Sequence, residues 1–460
     1  YCCLQAEFSA AKQTAADFRQ EFHMSKKSFI RGTLLLIFTG FLSRLMGFFY
    51  RIFLSHTIGA HGIGVFQLVF PLQTLVMAIC ASGIQTAISR LCASEEALGH
   101  SEKARDFFVM GTFVSVASAL VLCFLTYTYA PFLSESILKE PLTQPLIQMI
   151  AFCFPLDAVH VCINSYYYSR KKAGFPAAIQ LLEQLARTGS CYLVYLIFLS
   201  EKRQVTSIIA AAGSLCGEIA ACLLSVFVIS IHFQKTHYTP FPLKKPVILL
   251  KRITEISFPL TLNKVLLTLL GSMEVILIPQ RLMLSGINAK EALSIYGVFT
   301  GMALPLILFP ATVTNSAAVM LLPSIAQLQT LGYQKRIRYV ISQIFRYSLL
   351  LGCFCSALFI FFGQFLGEFL FHSHTAGVYI RTMAFICPFL YLNTTLTSIL
   401  NGLGKSAFCL IHSLISILIR VSFVLFAIPV MGIKGYLYGI LCGELILTLL
   451  HSHRLLRSWR

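Results

Sequence analysis

The chain has 460 residues, of which 57% are hydrophobic and 12% are charged, and its formal net charge is +18. Its mean hydropathy is +0.77. A water-soluble chain of this length could not hide so much apolar surface in ordinary domains, so the composition excludes a soluble enzyme or binding protein. On a soluble protein the positive charge would suggest nucleic-acid binding. In a membrane protein, topology and contact with anionic lipids explain it, and we expect no nucleic-acid partner.

Twelve apolar segments follow one another along the chain, separated by short polar loops. A helix needs about 20 apolar residues to cross a hydrocarbon core of about 30 Å, and unpaired backbone is not tolerated in lipid. We therefore predict an all-α integral membrane protein with about twelve transmembrane helices. The predicted spans are 29–54, 63–88, 107–131, 146–169, 177–199, 207–232, 255–284, 294–322, 339–366, 377–400, 405–429 and 433–455.

Lysine and arginine are distributed unevenly between the two alternating sets of loops. One set, which includes both chain ends, holds 21 of these residues, and the other holds 6. Cytoplasmic loops are enriched in Lys and Arg. The asymmetry therefore predicts a multi-pass protein with both termini in the cytoplasm.

An internal repeat divides the chain into two halves. At an offset of 233 residues, the tripeptide Gly-Val-Phe at 64–66 falls on the one at 297–299, and Arg187 falls on Arg420. The shift lays helices 1 to 6 onto helices 7 to 12 in the same orientation, a plan that many transporters use to enclose a central cavity. We predict two pseudo-symmetric six-helix bundles. The predicted regions are a polar, disordered extension (1–27), an N-lobe (28–232), a cytoplasmic linker (233–254) and a C-lobe (255–457).

Cationic side chains occur at mid-membrane depth, where they are costly unless they face an interior. Guanidinium groups bind phosphate through planar, forked hydrogen bonds. The excess of buried cations therefore predicts an anionic cargo. The residues predicted to bind it are Arg44, Arg51, Arg187, Lys264 and Arg420.

Acidic side chains lie at comparable depth. Glu183 and Arg187 share one face of helix 5 at a spacing of i, i+4, so they either pair with each other to join helices or face the cavity. The candidates for ion coupling or charge compensation are Asp157, Glu183, Glu218 and Glu274. The cysteines form no CxxC pair and no cluster with histidine, so no metal site is predicted. We expect no cofactor, and energy from an H⁺ or Na⁺ gradient or from the membrane potential.

Three stretches resemble the polysaccharide flippase family typified by stage V sporulation protein B, within the multidrug/oligosaccharidyl-lipid/polysaccharide exporter superfamily. They are 43–51 (SRLMGFFYR), the helix from Pro176 to Arg187, and 278–305 with its IPQRL and TGMALP motifs. The resemblance implies two lobes, alternating access and a bacterial plasma-membrane location. It also implies movement of an undecaprenyl-(di)phosphate-linked sugar, or another cell-envelope precursor, from the inner to the outer leaflet.

Two other functions fit parts of this pattern. A cation-coupled multidrug exporter of the same superfamily would have the same fold, but such exporters tend to carry a carboxylate in helix 1, where this chain has Arg44 and Arg51. A membrane glycosyltransferase or ligase using the same lipid carriers would need acidic catalytic groups in sizeable external loops. The external loops here are short and contain no paired acidic motif. We therefore expect a transporter and not an enzyme.

Overall fold

The computed structural model of the protein describes residues 38–170, 172, 174–238, 243, 245–315, 318, 321, 325, 328 and 333–457. All regular structure in these residues is helical, and each predicted span corresponds to a helix. The predicted extension at 1–27 lies outside the described residues. The helices are α1 (38–57), α2 (Gly59–Ala97), α3 (Ser101–Thr128), α4 (Gln144–Ala151 and Cys153–Ser169), α5 (Gly174–Ser200), α6 (Ile208–Lys235), α7 (Pro246–Leu284), α8 (Ala289–Leu308), α9 (Gln334–Phe371), α10 (His374–Gly402), α11 (Ser406–Phe426) and α12 (Ile433–Arg457).

Most of these helices meet the length and hydropathy required of a membrane span. Within the described part of the chain nine do so, and a tenth is formed by α4 if its two halves, bent by 41°, count as one span. The helix α5 is 27 residues long, but Glu183 and Arg187 on its polar face lower its hydropathy. The described part of α1 begins only at residue 38. The prediction of an all-helical, multi-pass membrane protein is confirmed.

The two lobes meet where backbones approach each other closely. A Cβ atom added at Gly64 of α2 would lie 2.2 Å from the carbonyl oxygen of Leu293, and one added at Gly297 of α8 would lie 2.1 Å from that of Ala60. Only glycine permits such an approach. Further along α2, a Cβ atom at Gly83 would lie 2.4 Å from the Ser257 carbonyl oxygen of α7. Helix α2 of the N-lobe therefore packs against both α7 and α8 of the C-lobe.

Polar contacts accompany this packing between the lobes. The hydroxyl of Ser272 in α7 donates a hydrogen bond to the carbonyl of Pro71 in α2, with an Oγ to O distance of 3.0 Å. In α8 a π-helical segment, Val298–Ala303, interrupts the regular helix. Such segments are frequent at functional sites. The two six-helix bundles that the sequence repeat predicted are thus joined along α2, α7 and α8.

Candidate functional site

A cavity of about 870 Å³ lies between the two lobes. Its walls come from α1, α2 and α5 of the N-lobe and from α7 and α8 of the C-lobe, together with residues just after α8. This is the position that the repeat predicts for a central cavity. Its polar lining residues are Ser43, Arg44, Tyr50, Arg51, Gln67, Thr74, Gln180, Gln184, Arg187, Thr268, Ser272, Tyr296, Thr300, Thr312 and Asn315.

Three arginines line this cavity, and all three were predicted from their depth. Arg44 is exposed, and no hydrogen bond or ion pair to it is found among the described residues. One heptad further along α1, Arg51 donates a hydrogen bond from Nη1 to the Thr300 carbonyl oxygen at 3.3 Å. Arg187 reaches the cavity from α5. The guanidinium groups of Arg44 and Arg51 therefore have no carboxylate partner in the described part of the chain.

The cavity is cationic because its two walls differ in charge. Its described lining residues include no aspartate and no glutamate. All of its cations among the described residues come from the N-lobe. The C-lobe contributes hydroxyl and amide groups from Thr268, Ser272, Tyr296, Thr300, Thr312 and Asn315. Because the described lining carries fixed positive charge only, it favours an anion and disfavours an organic cation.

Behind the cavity wall, Arg187 belongs to a cluster of ionisable groups inside the N-lobe. Its Nη2 atom pairs with Glu183 of the same helix and lies 3.6 Å from Oε1 of Glu218 in α6. The Nδ1 atom of His160 in α4 lies 3.3 Å from Oε2 of Glu218, and its Nε2 atom lies 3.5 Å from Oδ1 of Asp157. The structure therefore brings together three of the predicted acidic residues and adds His160. We call these five residues the N-lobe cluster.

The C-lobe contains a related group around Arg420. The Nε atom of Arg420 lies 3.0 Å from Oε1 of Glu274, and its Nη1 atom lies 3.5 Å from Oε1 of Glu444. The hydroxyl of Tyr436 donates to Glu274 at 3.0 Å, and the amide of Asn393 donates to Glu444 at 2.7 Å. We call these five residues the C-lobe cluster. Its members are held by one another, and none of them lines the cavity.

The remaining predicted cation, Lys264, is exposed on α7 and does not line the cavity. Of the five residues predicted to bind cargo, the structure places Arg44, Arg51 and Arg187 around one cavity. It places Arg420 inside the C-lobe, away from that cavity. The roles of all five stay predictions.

A second internal repeat explains why the two clusters are alike. The tetrapeptide Leu-Cys-Gly-Glu occurs at 215–218 in α6 and again at 441–444 in α12. Its glycines allow the arginines to pack closely, since a Cβ atom at Gly217 would lie 3.1 Å from that of Arg187, and one at Gly443 would lie 2.9 Å from Cγ of Arg420. The two copies of this tetrapeptide are 226 residues apart, whereas the repeat found in the sequence analysis has an offset of 233, so the comparison at that offset misses them.

Comparisons with known proteins agree with this architecture. The sequence profile described as polysaccharide biosynthesis protein matches residues 29–329. The chain is 28% identical to Stage V sporulation protein B of Bacillus subtilis (strain 168) over 436 residues, which are 93% of this chain and 84% of that protein. It is 26% identical to Lipid II flippase MurJ of the same organism over 172 residues, which are 36% of this chain and 31% of that protein.

Among solved structures, the chain is similar to a multidrug resistance MATE family transporter of the MOP superfamily in an inward-facing conformation. The TM-score is 0.67 at 13% sequence identity, and the match covers 88% of this chain and 92% of that one. At this identity the likeness shows a shared fold. The predicted resemblance to the family of stage V sporulation protein B is confirmed by the sequence matches.

Proposed function

Because the chain belongs to the polysaccharide biosynthesis protein family, we propose that it is an alternating-access flippase for an anionic, lipid-linked oligosaccharide or other cell-envelope precursor. The coarser class, a membrane transporter and not an enzyme, follows from the family, from its curated relatives and from the transporter fold. The proposed direction is from the inner to the outer leaflet of the bacterial plasma membrane. The proposed cargo is an undecaprenyl-(di)phosphate-linked sugar.

The observation that carries this proposal is the charge of the cavity. Arg44, Arg51 and Arg187 face one space that no described carboxylate lines. A guanidinium group offers forked donors that match phosphate oxygens, and these charge-assisted hydrogen bonds are about twice as strong as neutral ones. Arg44 is the clearest candidate, because no described residue competes with the cargo for its donors.

The size of the cavity indicates which part of such a cargo it would hold. A volume of about 870 Å³ lies within the range of about 300–1,000 Å³ that is typical of sites for small molecules. It suits a diphosphate and the sugar next to it, whereas a long polyprenyl chain would stay in the lipid. On the opposite wall, the hydroxyl of Thr268 can donate to a sugar and accept from it, and the hydroxyls of Ser272 and Thr300, which donate to Pro71 and Tyr296, can accept.

An anionic headgroup also supplies a driving force. A membrane potential that is negative inside contributes about 2.3 kcal/mol for each elementary charge moved per 100 mV. Outward movement of a diphosphate headgroup would therefore be favourable. This supports a flippase that lacks an ATP-hydrolysing domain in its described residues.

The test is transport of a labelled undecaprenyl-diphosphate sugar in proteoliposomes, followed by its accessibility to a reagent added outside. We expect Arg44→Gln to reduce flipping by at least about tenfold, since losing one charge-assisted contact costs about 1.5–3 kcal/mol. The matched control is Arg346→Gln, because Arg346 is an exposed arginine of α9 that does not line the cavity. Arg346→Gln should flip at the wild-type rate.

Two results would contradict the proposal. The first is normal flipping by Arg44→Gln at normal protein abundance. The second is exchange of a labelled organic cation by the wild-type chain while the lipid-linked sugar stays in its leaflet, which would support the drug-exporter alternative.

A further inference from the structure

The imidazole of His160 lies between two carboxylates in the interior of the N-lobe. Its Nε2 atom faces Oδ1 of Asp157 at 3.5 Å, and its Nδ1 atom faces Oε2 of Glu218 at 3.3 Å. Only 5% of His160 and 4% of Glu218 is exposed. Both Nδ1 of His160 and Oε2 of Glu218 lack a hydrogen bond of acceptable geometry within the described residues. The two atoms therefore face each other as buried polar groups.

This arrangement favours the binding of an additional proton. A neutral imidazole has one N–H group and one nitrogen lone pair. It can donate to only one of the two carboxylates, so the other nitrogen would face a carboxylate oxygen, lone pair against lone pair, away from water. Such a buried contact is costly. A proton between the second nitrogen and its carboxylate removes this repulsion, whether it resides on His160 or on Asp157 or Glu218.

The charge of the whole N-lobe cluster leads to the same conclusion. Asp157, Glu183 and Glu218 are balanced by the guanidinium of Arg187 alone, which leaves a net charge of −2 when His160 is neutral. Uncompensated charge inside a protein is strongly unfavourable. One ligand atom from each of Asp157, His160 and Glu218 lies within 4.8 Å of the others, a spacing that a metal ion could also bridge. We pursue the proton, because each nitrogen of His160 faces a different carboxylate, and a metal ion is one of the outcomes of the test below.

Arg187 connects this site to the cavity. It lines the cavity, and its Nη2 atom also contacts Glu183 and lies 3.6 Å from Glu218. We propose that Asp157, His160 and Glu218 form a proton-binding site whose occupancy is linked through Arg187 to the binding of an anion in the cavity. The linkage rests on the proposed function, since it requires an anion at Arg187.

The direction of the linkage follows from the shared guanidinium. Protonation at Glu218 weakens its attraction for Arg187 and leaves more of the guanidinium available to the anion. Conversely, an anion that binds Arg187 offsets the positive charge near Glu218 and Glu183, which then hold a proton more strongly. Because coupling between two sites is reciprocal, the anion should bind more tightly at lower pH and should take up a proton as it binds.

Few other titratable groups near His160 could account for a pH dependence of anion binding. Residues 107–128 of α3 and 70–89 of α2 contain no charged side chain. Four thiols lie near enough to Asp157 or Glu218 to interact with them electrostatically: Cys80 of α2, Cys153 and Cys162 of α4, and Cys222 of α6. The charged groups that surround His160 in α4, α5 and α6 are the other four members of the N-lobe cluster, and Arg51 of α1 interacts with Arg187.

The test is calorimetric binding of a short-chain prenyl-diphosphate-linked sugar to the full chain in detergent. The phosphates of this probe are diesters and carry no titrating proton near neutral pH. Titrations at about pH 6, 7 and 8, each in two buffers of different ionisation enthalpy, measure both affinity and proton uptake. With one linked proton, the wild-type affinity should rise by up to about tenfold for each unit by which the pH falls.

Matched variants locate the proton. His160→Gln and Glu218→Gln should bind the probe with little pH dependence and no proton uptake. Glu444→Gln, which changes the repeat-related carboxylate of the C-lobe cluster, should keep the wild-type dependence. Asp157→Asn provides a third variant if one of the first two does not fold, as judged by size-exclusion chromatography.

The outcomes separate this proposal from the proposed function. If the wild-type chain binds the probe equally well at every pH without proton uptake, the proton linkage is wrong and the flippase proposal stands. If the chain binds no probe at any pH, the cationic cavity is not an anion site and the proposed function fails. If Zn²⁺ changes the affinity and a chelator reverses it while pH has no effect, the site binds a metal and the proton proposal is overturned.

Discussion

The two lobes contain the same arginine and glutamate pair in different surroundings. In the N-lobe, Arg187 lies 3.6 Å from Glu218, and in the C-lobe Arg420 lies 3.5 Å from Glu444. The side chains of the two arginines are also similarly exposed, at 21% and 22%. Only Arg187 lines the cavity. The repeat has therefore preserved a pair of charges but not its position relative to the space between the lobes.

The neighbours of each pair account for the difference. In the C-lobe, Arg420 is also held by Glu274 of α7, and Tyr436 and Asn393 donate hydrogen bonds to its two carboxylates. Buried charges that are paired and hydrogen-bonded in this way hold helices together. In the N-lobe, the residue that corresponds to Asn393 at the repeat offset of 233 is His160. A titratable imidazole therefore faces Glu218 where the C-lobe has a neutral amide that always donates to its glutamate. This difference favours a structural role for the C-lobe cluster and a ligand-linked role for the N-lobe cluster.

The largest predicted effect distinguishes these two roles with paired substitutions. Arg420→Gln should lower the free energy of unfolding by about 3–5 kcal/mol, because it leaves Glu274 and Glu444 buried without their cation. The triple variant Arg420→Gln/Glu274→Gln/Glu444→Gln, which removes both carboxylates that the arginine neutralises, should recover most of this loss and should flip lipid. The N-lobe triple variant Arg187→Gln/Glu183→Gln/Glu218→Gln should also reach normal abundance, but its flipping should stay at least about tenfold below wild type. Thermal unfolding in detergent and the proteoliposome assay measure the two quantities.

One result would remove the contrast between the lobes. If the C-lobe triple variant is as stable as the wild-type chain but does not flip lipid, Arg420 acts in transport, as the analysis of the sequence predicted. The two clusters would then be equivalent in function despite their different placement.

A smaller effect is predicted where the repeat is still symmetric in space. Gly64 and Gly297 are repeat-related and lie in contact, where added Cβ atoms would be 2.2 Å and 2.1 Å from backbone oxygens of the other lobe. Gly64→Ala and Gly297→Ala should each cost about 1–3 kcal/mol of stability through overpacking, and should slow flipping to a similar extent. Gly189→Ala is the control, since nothing lies within 4 Å of its added Cβ. Thermal unfolding and flipping rates check all three.

The outcome that would contradict this prediction is tolerance of both substitutions. If Gly64→Ala and Gly297→Ala are as stable as the wild-type chain and flip lipid at its rate, α8 can move away from α2 without loss. The close contact would then not be needed to hold the two lobes together.

The fold could be predicted from the sequence because its determinants are local. Each span is encoded in the hydropathy of about 20 consecutive residues, and the two lobes follow from one constant offset between repeat-related residues. The cavity arginines could also be predicted, since a cation at mid-depth must face an interior. Arg44, Arg51 and Arg187 were identified in this way, and all three line the cavity.

What could not be predicted depends on contacts between distant helices. Glu274 reaches Arg420 from α7 and helps to hold it inside the C-lobe, and no local pattern of the sequence encodes that contact. His160 was missed, although its spacing of i, i+3 from Asp157 places both on one face of α4. The repeated tetrapeptide Leu-Cys-Gly-Glu was missed because α11 has 21 residues whereas the corresponding α5 has 27. This difference in length changes the offset between repeat-related residues ahead of α12.

The smallest predicted effect concerns the remaining cation of the C-lobe. Lys264 is exposed on α7 and does not line the cavity, which receives all of its described cations from the N-lobe. Exposed charges contribute about 0–1 kcal/mol, so Lys264→Ala should change the rate of flipping by less than about fivefold, whereas Arg44→Gln should reduce it by at least about tenfold. Both variants are compared with the wild-type chain in the same proteoliposomes at equal protein density. If Lys264→Ala is as defective as Arg44→Gln, the cargo contacts a C-lobe cation outside the cavity, and recognition is shared between the lobes after all.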